Sequence, residues 1–256
     1  MEGALTGRHA VITGGGSGIG AAVADALAAE GAVLTLVGRS QDRLQKKAET
    51  LKGVHVAAAD VTDAAAVAAA IDSAVKAHGP VAILINNAGA APARKFLETD
   101  LATWRQTLDV NMTGAFLCSQ AVLPAMIATK WGRIVNVASV VGLIGYKGIS
   151  AYVAAKHGLV GLTRALALEY ADAGITVNAV CPNFTDTDMV AQAVANIRAQ
   201  RGVSEADARA MLAGKNPQKR LVTPAEVASA VAWLCRPESA AINGHALPID
   251  GGETVS

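Results

Sequence analysis

Seven short runs dense in apolar residues punctuate the chain, at His9–Thr13, Val33–Val37, Val54–Ala58, Ala82–Ile85, Arg133–Ala138, Thr176–Val180 and Ala246–Ile249. Most are rich in Val, Ile and Leu and do not alternate with polar residues, which marks strands covered on both faces, as in a parallel sheet. Between them lie longer stretches with helical periodicity, near 18–30, 40–51, 63–78, 101–129, 150–172, 188–212 and 223–235. Strand and helix alternating along the chain predict right-handed crossovers and a doubly wound α/β sheet of about seven parallel strands, with helices on both faces.

The rhythm is interrupted once, over 186–222. There Val190, Val194, Ile197, Met211 and Leu212 flank a polar turn at Arg201–Ser204, which predicts one or two helices in an excursion over the sheet edge. No linker rich in Pro, Gly or Ser divides the chain, so residues 1–256 read as a single domain with a substrate lid at about 186–222. Hydrophobic residues make up 52% and charged residues only 17%, enough to bury a sizeable core. A net charge of +1 with no long run of one sign argues against a nucleic-acid partner. The basic cluster from Arg43 to Lys47 reads as a solvated helix face.

No uninterrupted apolar stretch reaches the length of a bilayer span and none precedes the first strand, so no membrane partner is expected. Cys118, Cys181 and Cys235 are widely spaced among apolar neighbours, which suits small buried hydrophobes in a reducing cytoplasm. The histidines and carboxylates form no cluster at metal-ligand spacing, so no metal is expected.

Thr13-Gly14-Gly15-Gly16-Ser17-Gly18-Ile19-Gly20 joins the first strand to the first long helix. Gly14, Gly16, Gly18 and Gly20 permit a tight turn and close approach of backbone to a pyrophosphate, which then rests on N–H groups at the helix start. Strand before and helix after make this a Rossmann-type nucleotide site, with Ser17 and Ile19 in the turn. The second strand ends Leu36-Val37-Gly38-Arg39, where an acidic residue would bind the ribose of NAD and arginine favours the 2′-phosphate of NADP. Arg39 therefore favours NADP(H), with NAD(H) open; the alternative is that Arg39 stacks on the adenine or faces solvent.

Tyr152 and Lys156 stand one helical turn apart on one face. A nearby cation favours the phenolate and draws a tyrosine pKa down toward the working pH. Ser139 follows the strand ending at Ala138, where ligand-facing residues of an α/β sheet occur. Together the three suggest proton transfer to or from an oxygen.

With these motifs in order from Thr13 to Gly252, the chain resembles the short-chain dehydrogenase/reductase family, in its single-domain branch. The resemblance implies a catalytic tetrad of Asn111, Ser139, Tyr152 and Lys156, and hydride transfer between a nicotinamide and a ketone or secondary alcohol. Tyr152 would be the acid or base and Ser139 would hydrogen-bond the substrate oxygen. Lys156 would lower the tyrosine pKa and hold the nicotinamide ribose, with Asn111 anchoring a proton-relay water or serving as a helix-kink residue. It further implies an adenine contact at Asp60 and Val61, cofactor-side roles for Asn87, Ala88, Gly89 and Pro182, and a carboxamide contact at Thr187 or Thr185. Where the family has Pro-Gly, this chain has Pro182-Asn183, so Asn183 either touches substrate or tolerates an unusual backbone angle.

Val141 and Tyr146 after Ser139, with Met189 in the lid, offer an apolar wall for a substrate with a hydrophobic body. The 186–222 segment is similar to the lids of polyketide ketoreductases and 3-hydroxyacyl thioester dehydrogenases, which implies a 3-oxoacyl or 3-hydroxyacyl thioester or a similar β-keto substrate. Arg94, Lys95, Lys147 and Arg198 would meet the phosphates of a CoA or carrier-protein arm, or be ordinary solubilising charge. Free secondary alcohols, sugars or steroids are the second enzymatic reading, and a non-catalytic cofactor-binding subunit the remote one. The resemblance also implies a homotetramer.

Overall fold

The computed structural model describes residues 3–255. In chain order the elements are β1 (His9–Thr13), α1 (Gly18–Ala29), β2 (Val33–Gly38), α2 (Gln41–Ala48), β3 (His55–Ala58), α3 (Ala64–His78), β4 (Ile83–Asn86), α4 (Leu101–Leu108), α5 (Gly114–Thr129) and β5 (Gly132–Val137). They continue with α6 (Ser150–Glu169), β6 (Ile175–Pro182), α7 (Asp188–Arg201), α8 (Glu205–Ala213), α9 (Pro224–Cys235) and β7 (Ala246–Ile249). The strands form one sheet in the order β3-β2-β1-β4-β5-β6-β7, with every pairing parallel. This is the Rossmann-like arrangement the alternation of elements predicts.

Neighbouring strand residues point to opposite faces, and both faces are covered. Ile12, Leu36 and Val135 pack with Val23 and Leu27 of α1 and Val227 and Val231 of α9. Val11, Leu84, Ile134 and Val177 pack on the other side with Ile71 of α3 and Val122 and Met126 of α5. Burial on two faces explains why the strands lack polar alternation. The strand order reverses between β1 and β4, which opens a crevice at the carboxyl ends of the strands.

Two helical stretches differ from expectation, and a third takes one of the two forms expected of it. The stretch 101–129 is continuous but contains a π turn at Asp109–Thr113, one extra residue per turn that separates α4 from α5. The stretch 188–212 is two helices, broken at Gly202, whose φ of 66° ends α7 in the left-handed region. The helix near 150–172 ends at Glu169, followed by a tight turn that Gly174 closes at φ 73°. Strand β6 runs on through Pro182 because Cys181 and Pro182 pair with Pro248 and Ile249 of β7.

Leu101–Thr129 spans 29 residues with a mean hydropathy of 1.4 in its most apolar window, so by length and composition it does reach a membrane-spanning helix. That corrects the sequence expectation. Part of its apolar character is that of a core helix: Cys118, Val122, Leu123 and Met126 are buried against the sheet and α3.

The excursion over 186–222 leaves and rejoins the fold at one place. Asp186 N–H donates to the Val222 carbonyl at 2.9 Å, and Val222 N–H donates to Phe184 at 3.0 Å. Val190, Val194, Ala208 and Leu212 form its own small core.

Candidate active site

Thr13 at the end of β1 is the hub of the glycine turn. Its hydroxyl oxygen accepts the N–H groups of Asn87 at 2.9 Å and Ala88 at 3.1 Å. The Asn87 amide donates in turn to the carbonyls of Thr13 at 3.0 Å and Gly14 at 3.2 Å. The loops after β1 and β4 are thereby stitched together. Gly14 and Gly18 take φ of 64° and 54°, which glycine adopts at little cost. A Cβ on Gly20 would lie 2.3 Å from the Gly14 carbonyl oxygen, so only glycine lets α1 approach the turn this closely.

The Ser17 side chain makes no capping bond at the start of α1. An intrinsic property of helix starts is N–H groups without intrahelical partners, and here they face a turn with no side chains to obstruct a diphosphate. The residues therefore fit a dinucleotide. Ile19 packs against the core beneath the turn. Gly16 lies against Arg43 of α2, whose guanidinium pairs with Asp188 at the start of α7 at 3.2 Å.

Arg39 is exposed just beyond β2. The Asp60 carboxylate is held below its usual range, first by the Thr62 N–H at 3.0 Å, with weaker pulls from the Thr62 hydroxyl and Arg39. Val61 is buried, and a Cβ on Gly114 would sit 2.7 Å from its side chain. A Cβ on Gly89 would come within 2.8 Å of Asn111 Oδ1.

Strand β5 delivers Ser139, and α6 delivers Tyr152 and Lys156 beside it. Ser139 Oγ donates to the Pro182 carbonyl and accepts the Val141 N–H, both at 3.4 Å. These long bonds leave the hydroxyl available for a better partner. Lys156 is 3% exposed; its Nζ donates to the Val137 carbonyl at 2.8 Å and lies 5.5 Å from the centre of the Tyr152 ring. Burial brings the Lys156 ammonium down to about 8.

Burial also pushes the Tyr152 phenol up to about 12, while the Ser139 hydroxyl pulls the other way and the Cys181 thiol adds a smaller push upward. The expected lowering by Lys156 is not among the causes of that shift. The ammonium is engaged with the Val137 carbonyl, and desolvation of the phenolate dominates.

Asn111 lies in the π turn. Its Nδ2 donates to the carbonyls of Ala90 at 2.8 Å and Thr107 at 2.9 Å, and its Oδ1 accepts the Ala90 N–H at 3.3 Å. The side chain therefore satisfies backbone groups around the extra residue and clips the loop after β4 to the helix, as its kink role requires.

Beyond β6, Thr185 Oγ1 donates to the Asn183 carbonyl at 3.0 Å and Thr187 Oγ1 to Thr185 at 3.1 Å. A Cβ on Gly18 would meet the Thr187 methyl at 3.1 Å, which puts Thr187 against the glycine turn. Asn183 does not have a positive φ: among described residues, Lys130 and Lys219 alone do so outside glycine. A left-handed backbone angle is therefore not the reason for Asn183.

Tyr146 packs edge-on against Phe184, with ring centres 6.1 Å apart, and its hydroxyl donates to Glu253 at 3.3 Å. Val141 is buried in the turn after Ser139, whereas Met189 is 45% exposed. The Arg94 N–H donates to the Gly148 carbonyl at 2.9 Å, which joins the loop of Arg94 and Lys95 to that of Lys147. Arg198 pairs instead with Glu205 at 3.4 Å, within the excursion.

Sequence reasoning passed over four features. The hub role of Thr13 was readable only as the first letter of its motif, and the Val137 carbonyl leaves no side-chain signal. Glu253 comes from the far C-terminal segment. The buried chain Asn86–Asn136–Thr163, with bonds of 2.9 and 2.8 Å, pins β4 to β5 and α6 beneath the site.

The short chain dehydrogenase family model matches residues 8–198. A cis-4-hydroxycyclohexanecarboxylate dehydrogenase of Sinomonas cyclohexanicum is 40% identical, with all of both chains covered. A granaticin polyketide synthase putative ketoacyl reductase of Streptomyces violaceoruber is also 40% identical, over 95% of this chain and 92% of that one. A crystal structure of an actinorhodin polyketide ketoreductase variant with NADPH superimposes with a TM-score of 0.94 at 35% identity, covering both chains fully.

Proposed function

Because this chain belongs to the short-chain dehydrogenase family and is an NAD(P)-dependent oxidoreductase of ketones and alcohols, we propose that it acts on a 3-oxoacyl or 3-hydroxyacyl thioester or a similar β-keto compound. The observation that supports the thioester is the Arg94–Gly148 backbone bond, which joins the loop of Arg94 and Lys95 to that of Tyr146 and Lys147, although Lys95 also pairs with Glu98 at 3.8 Å. Exposed cations there suit the phosphates of a CoA or carrier arm while the acyl end reaches Ser139.

A bound nicotinamide nucleotide supplies or takes the hydride. Gly14, Gly16, Ser17, Gly18, Ile19 and Gly20 would hold its diphosphate, Asp60 and Val61 its adenine, and Ala88 and Gly89 its central portion, with Asn87 bracing the turn. Pro182 and Thr187, with Thr185 behind, would border its carboxamide. Arg39 supports a preference for NADP(H) through its exposed cation beyond β2.

Ser139 would hold the substrate oxygen, displacing its long bond to Pro182. Tyr152 would give that oxygen its proton during reduction and take it during oxidation. Lys156, fixed by Val137, would present its charge to the phenol, and Asn111 would hold the loop that shapes this corner. Val141, Tyr146 and Met189 would line the substrate path, with 186–222 as a lid over it.

Homo-oligomer formation is supported by apolar side chains left exposed on two helices, Phe116 and Ile127 on α5 and Leu168 on α6. A cytoplasmic setting is supported by three buried free thiols. The full-length match to a hydroxycyclohexanecarboxylate dehydrogenase favours free secondary alcohols as the second reading.

An initial-rate panel tests the proposal: acetoacetyl-CoA, its 3-hydroxy counterpart and simple aryl ketones, each with both nicotinamide nucleotides. The expected result is preference for acetoacetyl-CoA with NADPH. Turnover of small free ketones alone overturns the thioester, and a strict demand for NADH overturns the role of Arg39.

A further inference from the structure

Asn183 accounts for all but one of its polar groups. Its N–H donates to the Ile249 carbonyl at 3.1 Å, its carbonyl accepts the Thr185 hydroxyl at 3.0 Å, and its Oδ1 accepts the Phe184 N–H at 2.5 Å. The last bond also fixes which end of the amide is oxygen, since a backbone N–H can only donate. What is left is Nδ2, a buried two-proton donor with no hydrogen-bond partner among the described residues. The residue is 6% exposed, so bulk water does not compensate it.

A buried donor without an acceptor is costly enough that native folds rarely keep one without use. The position gives the use. The peptide before Asn183 carries the Pro182 carbonyl that takes the Ser139 hydroxyl, and the residue after it, Phe184, packs against Tyr146. Asn183 is therefore the residue that links the carbonyl facing Ser139 to the ring that packs on Tyr146. Its φ is not positive, so left-handed strain does not call for an unusual residue there; the turn engages Oδ1 and leaves Nδ2 unused.

We infer that Asn183 is a specificity-determining residue whose Nδ2 donates to a second oxygen of the substrate, two carbons from the reacting one. This deepens the β-keto reading above and rests on it. A simple ketone leaves the donor unanswered, and the difference favours dicarbonyl substrates over monofunctional ones. The effect depends on the second oxygen and not on a CoA arm.

The experiment titrates the enzyme–NADP complex calorimetrically with pentane-2,4-dione and with 2-pentanone, for the wild type, Asn183→Ala and Asn183→Gly. We expect the wild type to bind the dione about tenfold more tightly, as one hydrogen bond in a dry site provides, and both variants to bind the two ketones alike. Unchanged NADP affinity and melting temperature would accompany that result. Equal binding of the two ketones by the wild type, or a dione preference kept by both variants, overturns the inference. So does a loss of NADP affinity in both variants, which would give Nδ2 to the cofactor. No CoA compound enters the titration, so failure of the thioester proposal in the rate panel is distinguishable from failure here.

Discussion

Lys156 Nζ is held by the Val137 carbonyl at 2.8 Å while it stands 5.5 Å from the Tyr152 ring centre, so the sheet fixes the cation that faces the phenol. The two groups are shifted in opposite directions by the same burial, the ammonium down to about 8 and the phenol up to about 12. Near neutral pH both are therefore protonated, the state suited to giving a proton to a ketone oxygen.

The pH dependence of reduction follows. Tyr152 keeps its proton well into the alkaline range, whereas Lys156 loses its charge as pH rises through about 8. We expect kcat/KM for ketone reduction to be level below that point and to fall above it. Lys156→Met should remove the break and lower kcat by about 10²–10⁴-fold, the range of a lost acid–base partner. A wild-type profile with no decline above about pH 8 counts against the assignment.

The glycine turn makes a steric prediction with an internal control. Gly20→Ala sets a methyl 2.3 Å from the Gly14 oxygen and 2.6 Å from the Asn87 amide, so the turn must open. Cofactor affinity should fall more than about tenfold, or about 1.4 kcal/mol. Gly53→Ala, unlike Gly20→Ala, sits at a left-handed φ, 65°, but in open space far in sequence from the turn. It should cost about 1 kcal/mol of stability with affinity unchanged. Nucleotide fluorescence titration and urea unfolding read the two effects separately.

How far the chain itself discloses this arrangement varies by element. Strands such as Ile83–Asn86 and Ile175–Pro182 were legible because burial on both faces demands nearly continuous apolar residues. The Ser139, Tyr152 and Lys156 set was legible because strand ends and helical spacing locate them. The π turn at Asp109–Thr113 was not, since one inserted residue leaves the helical pattern almost intact. Glu253 was invisible for a different reason: its contact with Tyr146 joins positions 107 residues apart. The expectation for Tyr152 failed because spacing shows a neighbouring charge but not the desolvation that dominates the shift.

At the opposite ends of the strands, three histidines predict acid lability. His9 is buried, its Nδ1 bonded to the Gly79 carbonyl at 2.8 Å and its Nε2 to the Thr35 hydroxyl at 2.9 Å. Its ring lies edge-on to His78, centres 5.4 Å apart, and His78 is likewise 6.1 Å from His55. Burial, and then the charges of His78 and His55, hold His9 below its ordinary value, with only the Gly79 bond opposing. The unfolded chain takes this proton near pH 6.5 and the folded one only at lower pH, so stability is lost as pH falls between those points. Urea midpoints should decrease on acidification below about pH 6.5, and His9→Gln should reduce that slope. An identical slope in the variant would remove His9 from the explanation.

The most direct test of the central claim, that Tyr152 is the proton donor and acceptor of this site, is single-turnover hydride transfer by Tyr152→Phe. The variant should bind the nicotinamide nucleotide with wild-type affinity, because the phenol oxygen is the only atom removed. Its transfer rate should fall by about 10²–10⁴-fold. A transfer rate close to the wild type, with cofactor binding intact, would contradict the account.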